Sequence, residues 1–147
     1  MLQWLIKKQY TLLVLILIIA VGYYFIFNKQ EVSENDFVPD YDVSAVSVES
    51  ITSFTIPDRF SEEEANSLET SFEKQKSILI EKGLELPEAF APLIQVGILK
   101  EIVGDYRGAE EVWQYVYSKE PEGYIVNGNL GNLYYLHLKE YEKAEYY

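Results

Sequence analysis

The chain has 147 residues, contains no cysteine and carries a formal net charge of −12 at pH 7. The lack of cysteine excludes disulfides and thiolate metal sites. The acidic charge disfavours nucleic acid and anionic lipid headgroups as partners, because phosphates repel it. Lys7 and Lys8 are the only charged side chains before residue 28, so residues 28–147 carry a formal charge of −14.

An uncharged apolar stretch occupies residues 10–27, which read YTLLVLILIIAVGYYFIF. A helix of roughly 20 apolar residues, rising about 1.5 Å per residue, spans the hydrocarbon core of a bilayer. Aromatic residues at both ends suit the membrane interfaces. A cleaved signal peptide would have a shorter apolar region of about 7–15 residues that ends at a small-x-small site. Residues 1–27 are therefore predicted to be a cytoplasmic stub followed by an uncleaved transmembrane helix.

The positive charges around this stretch predict its orientation. Lys7 and Lys8 precede it, whereas Lys29 alone follows it closely. Positive charges near a span favour the cytoplasmic side. The N-terminus is therefore expected in the cytoplasm and the remainder of the chain outside, which in a bacterium is the periplasm or the cell exterior.

Residues 28–60 are polar and acidic and show no helical periodicity. The alternating segment at residues 45–51 could form a strand, but no partner strand is evident in the sequence. We therefore predict a flexible acidic spacer, because such a composition buries too little apolar surface to offset the entropy of ordering.

Residues 61–83 carry the signals of a helix. Ser61 followed by Glu64 forms a capping box, and Gly83 supplies a stop signal. Apolar side chains recur on one face of this helix, at Ala65, Leu68, Phe72 and Leu79. The sequence favours a capping helix that covers the apolar face of the next region over a membrane-proximal coiled coil.

A spacing pattern recurs in residues 84–147. Gly97 and Ala109 are twelve residues apart, Pro121 follows twelve later, and Gly131 comes 34 residues after Gly97. Small residues allow two antiparallel helices to cross closely, and proline ends the second helix. The pattern predicts two helix pairs, at about 90–123 and 124–147, with helices at about 90–103, 106–119, 124–138 and from 140 onward.

The residues of this pattern turn, cap or pack the helix pairs: Gly97, Gly104, Asp105, Tyr106, Ala109, Trp113, Pro121, Leu130, Gly131, Tyr134, Tyr141 and Ala144. Their intervals resemble the tetratricopeptide repeat (TPR) family, which builds helical peptide-binding scaffolds with a period of about 34 residues. The first copy departs from the family at Lys100 and Val116. In the second copy Gly131 and Ala144 are thirteen residues apart, so the turn around residues 137–139 is expected to hold one extra residue.

The resemblance implies a binding groove, because the first helix of each repeat lines the concave surface in that family. The implied groove residues are Ile94, Ile98, Glu101, Ile102, Gly128, Asn132, Tyr135 and Leu136. Asn132 matches an asparagine that holds the ligand backbone in the family, and the apolar members suit an apolar or amphipathic peptide. The alternative, that some of them pack against the capping helix or a third repeat, stays open. The residues assigned to the core are Leu93, Val96, Trp113, Leu130, Tyr134 and Tyr141.

The sequence offers no constellation for catalysis. His137 is the only histidine, and it falls in an inter-helix turn. No strand precedes the glycines at 128 and 131, as a nucleotide fingerprint requires, and the glutamates at 62–64 lack the spacing of a calcium loop. We therefore predict no enzyme, no catalytic residue, no cofactor and no metal.

Tyr147, the last residue, falls inside the second helix of the second repeat. A stable solenoid usually has three or more repeats, so we expect a truncated repeat array from a longer protein. The alternative is a true terminus with a short final helix that packs in a dimer.

Together these features predict an all-α chain with one N-terminal transmembrane helix, a spacer and an α-solenoid of TPR-like repeats. The predicted function is a membrane-anchored scaffold that binds a protein or peptide partner on the extracytoplasmic side. Nucleic acid is not expected as a partner. Two alternatives remain: the N-terminal fragment of a larger protein whose activity lies beyond residue 147, and a structural protein that self-associates as a homo-oligomer.

Overall fold

A computed structural model describes residue 41 and residues 43–147. Every regular element in this part of the chain is a helix, which confirms the all-α fold class. None of the helices there combines the length and apolarity needed to cross a bilayer. The predicted transmembrane helix at residues 10–27 lies outside the described residues.

Of the flexible spacer predicted at residues 28–60, the structure describes residue 41 and residues 43–60, and residues 43–60 contain packed helical turns; residues 28–40 lie outside the described residues. A 3-10 turn, Val43–Ala45, precedes helix α1, Val48–Ile51. Ile51 is fully buried, and the ring of Phe54 stacks on that of Phe72 with centroids 4.0 Å apart. The stretch considered as a strand is helical instead.

A local capping box and a long-range hydrogen bond explain this difference. Ser47 and Ser50 form a short capping box in which each side chain accepts a hydrogen bond from the other's backbone N–H, both at 3.1 Å. The buried ammonium of Lys100 donates to the Ser53 carbonyl oxygen at 2.5 Å and to Asp105 Oδ2 at 3.1 Å. A lysine from the first helix pair therefore holds this segment against the rest of the fold.

Helix α2, Glu62–Lys82, runs between the two cap residues noted in the sequence. Ser61 Oγ accepts from the Glu64 N–H at 3.3 Å, and Glu64 Oε2 accepts from the Ser61 N–H at 2.9 Å. Gly83 ends the helix with φ of +79°. Phe72 and Leu79 are buried, and this face packs against the next helix.

The first helix pair consists of α3, Phe90–Val103, and α4, Tyr106–Lys119. Gly104 closes α3 in the left-handed conformation with φ of +86°, and Asp105 Oδ1 caps α4 by accepting from the Gly108 N–H at 2.9 Å. The indole of Trp113 lies directly on Gly97, where any Cβ would overlap it. The glycine is therefore required by the aromatic ring that packs on it.

The second helix pair contains an irregularity. Helix α5, Tyr124–Asn132, continues as a π-helical turn, Leu133–Leu138, before α6, Tyr141–Tyr146. A π turn uses one more residue than an α turn. The extra residue predicted for the inter-helix turn lies in this π turn instead.

The spacing of equivalent residues in the two pairs shows where the extra residue lies. Gly131 follows Gly97 by 34 residues, whereas the left-handed residue Lys139 (φ of +60°) follows Gly104 by 35. The turn between the helices has the same length in both pairs. The insertion must therefore lie upstream of Lys139, inside the first helix of the second pair.

One apolar core joins these elements. Trp113 and Tyr134 are its largest fully buried side chains, and Phe72 joins them from α2. Val126, Leu130, Leu133 and Tyr134 form the buried face of α5 and its π turn, which packs on α4. The second helix pair therefore packs against the outer surface of the first.

Candidate functional site

The eight residues of the implied groove do not form one continuous surface. Ile94 is 7% exposed, and Ile98 is partly buried against the core. Glu101 Oε1 lies 3.1 Å from His137 Nε2, so Glu101 is occupied by a contact between the two helix pairs. The first-pair half of the groove is therefore largely used for packing.

Ile102 contributes to a depression between α2 and α3. Its side chain is 47% exposed. The depression encloses about 400 Å³ and is lined by Phe60, Glu63, Glu64, Ser67, Leu68 and Ile102. The capping helix therefore borders this part of α3, which is one of the two alternatives left open by the sequence.

The second-pair half of the groove forms an open cleft between α5 and α6. This α5–α6 cleft has a volume of about 540 Å³. Its lining comes from both helices: Asn127, Gly128, Gly131, Asn132, Tyr135, Tyr141, Ala144, Glu145 and Tyr147. Three of the eight implied groove residues, Gly128, Asn132 and Tyr135, are brought together here. Leu136 is 52% exposed but does not line the cleft.

The floor of the cleft is made of small residues. A Cβ added at Gly128 would meet no described atom within 4 Å, apart from its chain neighbours and the backbone of its own helix. At Gly131 a Cβ would lie 3.6 Å from the carbonyl oxygen of Ala144, an ordinary contact. The backbone of α5 is therefore accessible to an incoming group.

Two tyrosines form one wall. The rings of Tyr135 and Tyr141 meet edge to face with centroids 5.5 Å apart, and their exposed fractions are 58% and 57%. Tyr141 was assigned to the core from the sequence, and this assignment is wrong. The π turn and the short α6 place it beside the cleft, whereas Leu93, Val96, Trp113, Leu130 and Tyr134 are buried as expected.

A buried polar network joins Tyr147, one of the lining residues of the cleft, to α4 and to the π turn. The Tyr134 hydroxyl donates to Glu110 Oε1 at 2.6 Å and accepts from Gln114 Nε2 at 2.9 Å. The same amide group of Gln114 contacts the Tyr147 hydroxyl at 2.8 Å. Charge-assisted hydrogen bonds of this kind hold two helices at a fixed distance.

Burial raises the pKa of both phenols in this network. It raises the pKa of Tyr147 to about 12. Burial, and then the hydrogen bond to Glu110, raise the pKa of Tyr134 well above its usual range. Both hydroxyls are therefore protonated at physiological pH and can donate hydrogen bonds.

Sequence reasoning missed Glu145 and Tyr147 as members of the site. The resemblance to TPR proteins pointed only to the first helix of each repeat, whereas both residues belong to the C-terminal helix region. The matching spacing of Ala109–Glu110 and Ala144–Glu145 was a usable signal. It indicates that Glu145 occupies in the second pair the position that Glu110 occupies in the first.

No protein family, curated protein or solved structure matches this chain. In residues 41 and 43–147, no group of three or more histidine, aspartate or glutamate side chains is placed to hold a metal ion. Function resides in sites rather than in folds. The function of this chain is therefore inferred from the geometry of the α5–α6 cleft and from the sequence pattern.

Proposed function

We propose that this chain is a membrane-anchored scaffold of the TPR type that binds a protein partner on the extracytoplasmic side. The observation that carries the proposal is the open cleft on the second of two helix pairs that repeat with nearly constant spacing. A repeat array buries a continuous core between neighbours and presents extended surfaces for binding.

The periodicity supports the assignment to TPR-like repeats. Gly97 and Gly131 occupy the same position in α3 and α5. Gly104–Asp105 and Lys139–Glu140 form turns of equal length, each beginning with a left-handed residue. A helix–turn–helix unit with a period of about 34 residues is the pattern of this family.

The membrane anchor rests on the sequence of residues 10–27 and its flanking lysines. An uncharged stretch of 18 residues with aromatic ends suits a bilayer span. Its orientation would hold the acidic domain outside the cytoplasm. In that position the domain could reach other envelope proteins but not cytoplasmic nucleic acid.

The surface chemistry favours binding over catalysis. Tyr135, Leu136 and Tyr141 are large side chains that are each more than half exposed, and the rings of Tyr135 and Tyr141 contact each other. Contiguous exposed apolar residues on a soluble domain mark interaction sites. Rigid aromatic side chains also suit an interface, since little conformational entropy is lost when they bind.

Photo-crosslinking in membranes tests this proposal. A photoreactive amino acid is placed at Asn132, inside the cleft, in the full chain expressed in a bacterial host. The matched control carries it at Ser71, an exposed position on α2 outside both depressions. We expect a discrete adduct with another protein from Asn132 and none from Ser71. No adduct, or the same adducts from both positions, would refute a specific protein-binding role for the cleft.

A further inference from the structure

We propose that residues 43–56 form a releasable strap on α2 and α4, and that the ammonium of Lys100 is the latch that holds this strap closed. The strap contains the 3-10 turn and helix α1. In the closed state it covers part of α4 and the Phe72 ring of α2, and in the released state this surface is open. The proposal goes beyond the proposed function and does not depend on what the α5–α6 cleft binds.

Side chains attach the strap to the helices. Ile51 is fully buried, and the ring of Phe54 stacks on that of Phe72 with centroids 4.0 Å apart. The 3-10 turn and α1 both pack on α4. Three further apolar side chains of the strap are partly buried against the same core: Val43, Val46 and Val48. The strap therefore covers an apolar surface that two helices form together.

The backbone of the strap is bonded only to itself in the described part of the chain. Val46 N–H donates to the Val43 carbonyl and Ile51 N–H to the Ser47 carbonyl, both at 3.1 Å. The other backbone-to-backbone hydrogen bonds described for residues 43–56 also join two residues of the strap. The strap can therefore leave the helices without breaking a described backbone hydrogen bond to them. Segments held in this way open at a lower free energy than the core.

Lys100 supplies a polar contact at this apolar interface. Its side chain is 3% exposed. The ammonium donates to the Ser53 carbonyl oxygen in the strap at 2.5 Å and to Asp105 Oδ2 at 3.1 Å. A buried ammonium has lost its hydration and needs hydrogen-bond acceptors in exchange. The Ser53 carbonyl is one of these acceptors, so closure of the strap and the burial of Lys100 are coupled.

Lys100 is also a position where the first helix pair departs from the TPR pattern. Its contact with Ser53 gives that departure a use, because a charged donor forms a stronger hydrogen bond than a neutral one. Release would return the ammonium to water and would uncover the Phe72 ring. The strap precedes α2 in the chain and follows the predicted anchor at residues 10–27. Release would therefore link the exposure of apolar surface to a longer connection between the two.

Single thiols can report this opening, because the chain has no cysteine. Ile51→Cys places a thiol at the fully buried position of the strap. Val126→Cys is the reference for the core, since Val126 is fully buried on α5. Ser71→Cys, at an exposed position on α2, gives the rate of an unprotected thiol. The reaction of each full-length variant with a thiol reagent is followed in detergent, without urea and at two urea concentrations below the unfolding transition.

We expect Ile51→Cys to react at least about tenfold faster than Val126→Cys, because the strap opens while the core stays folded. It should react at least about tenfold more slowly than Ser71→Cys, because the strap is closed most of the time. Its rate should also rise less steeply with urea than that of Val126→Cys. Opening of the strap exposes less surface than global unfolding does, and the effect of urea scales with the surface exposed.

The latch is tested by Lys100→Met in the Ile51→Cys chain. We expect the reaction to become about fivefold faster or more, because the Ser53 carbonyl would face a side chain that cannot donate and would regain water on release. Lys74→Met is the matched control at an exposed position on α2 and should change the rate by less than about twofold. Phe54→Ala, which removes the stacked ring, should also speed the reaction. Circular dichroism confirms that each variant is folded.

Equal rates for Ile51→Cys and Val126→Cys, with the same dependence on urea, would overturn the proposal, since the strap would then open only with the whole fold. A rate for Ile51→Cys equal to that of Ser71→Cys would overturn it as well, because the strap would not be closed. An unchanged or slower reaction with Lys100→Met would show that Lys100 is not the latch. None of these results bears on crosslinking from Asn132, so the strap and the scaffold function can fail separately.

Discussion

At the scale of single residues, two glycines inside helices, Gly97 in α3 and Gly128 in α5, have opposite surroundings. Gly97 lies under the indole of Trp113, which is 1% exposed, whereas Gly128 opens onto the cleft. Amino-acid composition alone does not distinguish these two glycines. Their different neighbours mean that the same substitution should have opposite effects on stability.

We predict that Gly97→Ala destabilises the protein and that Gly128→Ala stabilises it. At Gly97 the new methyl group would overlap the Trp113 ring, and overpacking of this kind costs about 1–3 kcal/mol. At Gly128 the methyl group meets no obstacle, and alanine should gain about 0.5–1 kcal/mol through helix propensity. Urea unfolding of the full chain in detergent measures both. Equal effects of the two substitutions would contradict the assigned packing.

The ion pairs at the start of α6 give a second prediction at this scale. Glu140 accepts from Lys143 at 2.5 Å and from Arg107 at 2.6 Å. The hydrogen bond from Lys143, with that from Arg107 in the same direction, lowers the pKa of Glu140 below its usual value. A carboxyl group whose pKa is lower in the folded state stabilises the fold above its unfolded pKa of about 4.3. This contribution is lost as the pH falls through the folded pKa.

Glu140→Gln should therefore lower the free energy of unfolding by about 1 kcal/mol at pH 7. The difference from the unmodified chain should shrink as the pH falls below about 4.3. Glu142→Gln is the control, since Glu142 is exposed and forms no ion pair among the described residues. Urea titrations at pH 7, 5 and 3 give the comparison. A constant difference across this range would show that the charge of Glu140 is not the cause.

At the scale of elements, the bounds of the helices were predictable where local chemistry fixes them. Ser61 and Gly83 enclose α2, and Gly104 with Asp105 separates α3 from α4, because cap residues and left-handed glycine act within one turn of the chain. The packed segment at residues 43–60 was not predicted. Its stability comes from Lys100, more than forty residues away, and no local pattern records such a contact.

The site was predictable only in part. Gly128, Asn132 and Tyr135 follow from the repeat spacing, and the structure gathers them in one cleft. Ile98 and Glu101 occupy the same positions in the first pair but are used for packing and for the contact with His137. Whether a surface position stays free depends on its tertiary neighbours, which the repeat pattern does not specify.

The π turn provides the prediction that belongs to this scale. A deletion of Leu136 would remove the extra residue and restore the spacing of the first pair, with Gly131 twelve residues before the alanine of α6. We expect this deletion variant to remain folded, because a π turn can revert to an α turn when one residue is lost. Deletion of Leu99 from the regular helix α3 is the control, and it should abolish cooperative unfolding. Thermal melts followed by circular dichroism show whether each deletion variant unfolds cooperatively. Loss of folding in both variants would contradict the location of the insertion.

At the scale of the whole molecule, the chain combines an acidic, helical domain with a predicted membrane anchor. The charge is unevenly distributed along the chain. No acidic residue precedes residue 28, and all 24 acidic residues follow it. The acidic domain is therefore not expected to be drawn to anionic headgroups. Its open α5–α6 cleft remains available for a partner.

The predicted topology is testable in a bacterial host. The full chain with a C-terminal epitope tag should stay in the membrane fraction after alkaline carbonate extraction, because residues 10–27 are predicted to span the bilayer. Protease added to spheroplasts should remove the tag, since the positive charges of Lys7 and Lys8 are predicted to keep the N-terminus inside. Replacement of both Lys7 and Lys8 by glutamine should reduce the fraction of correctly oriented chains. Release by carbonate would argue against a transmembrane anchor, and a protected tag against the orientation.

The central claim is that the α5–α6 cleft holds a protein partner. Crosslinking from Asn132 in membranes, compared between the unmodified chain and the Gly128→Leu and Ser71→Leu variants, tests it most directly. The account predicts one heterologous adduct that is lost with Gly128→Leu and retained with Ser71→Leu. An adduct that persists when the cleft is filled, or no adduct at all, would contradict it.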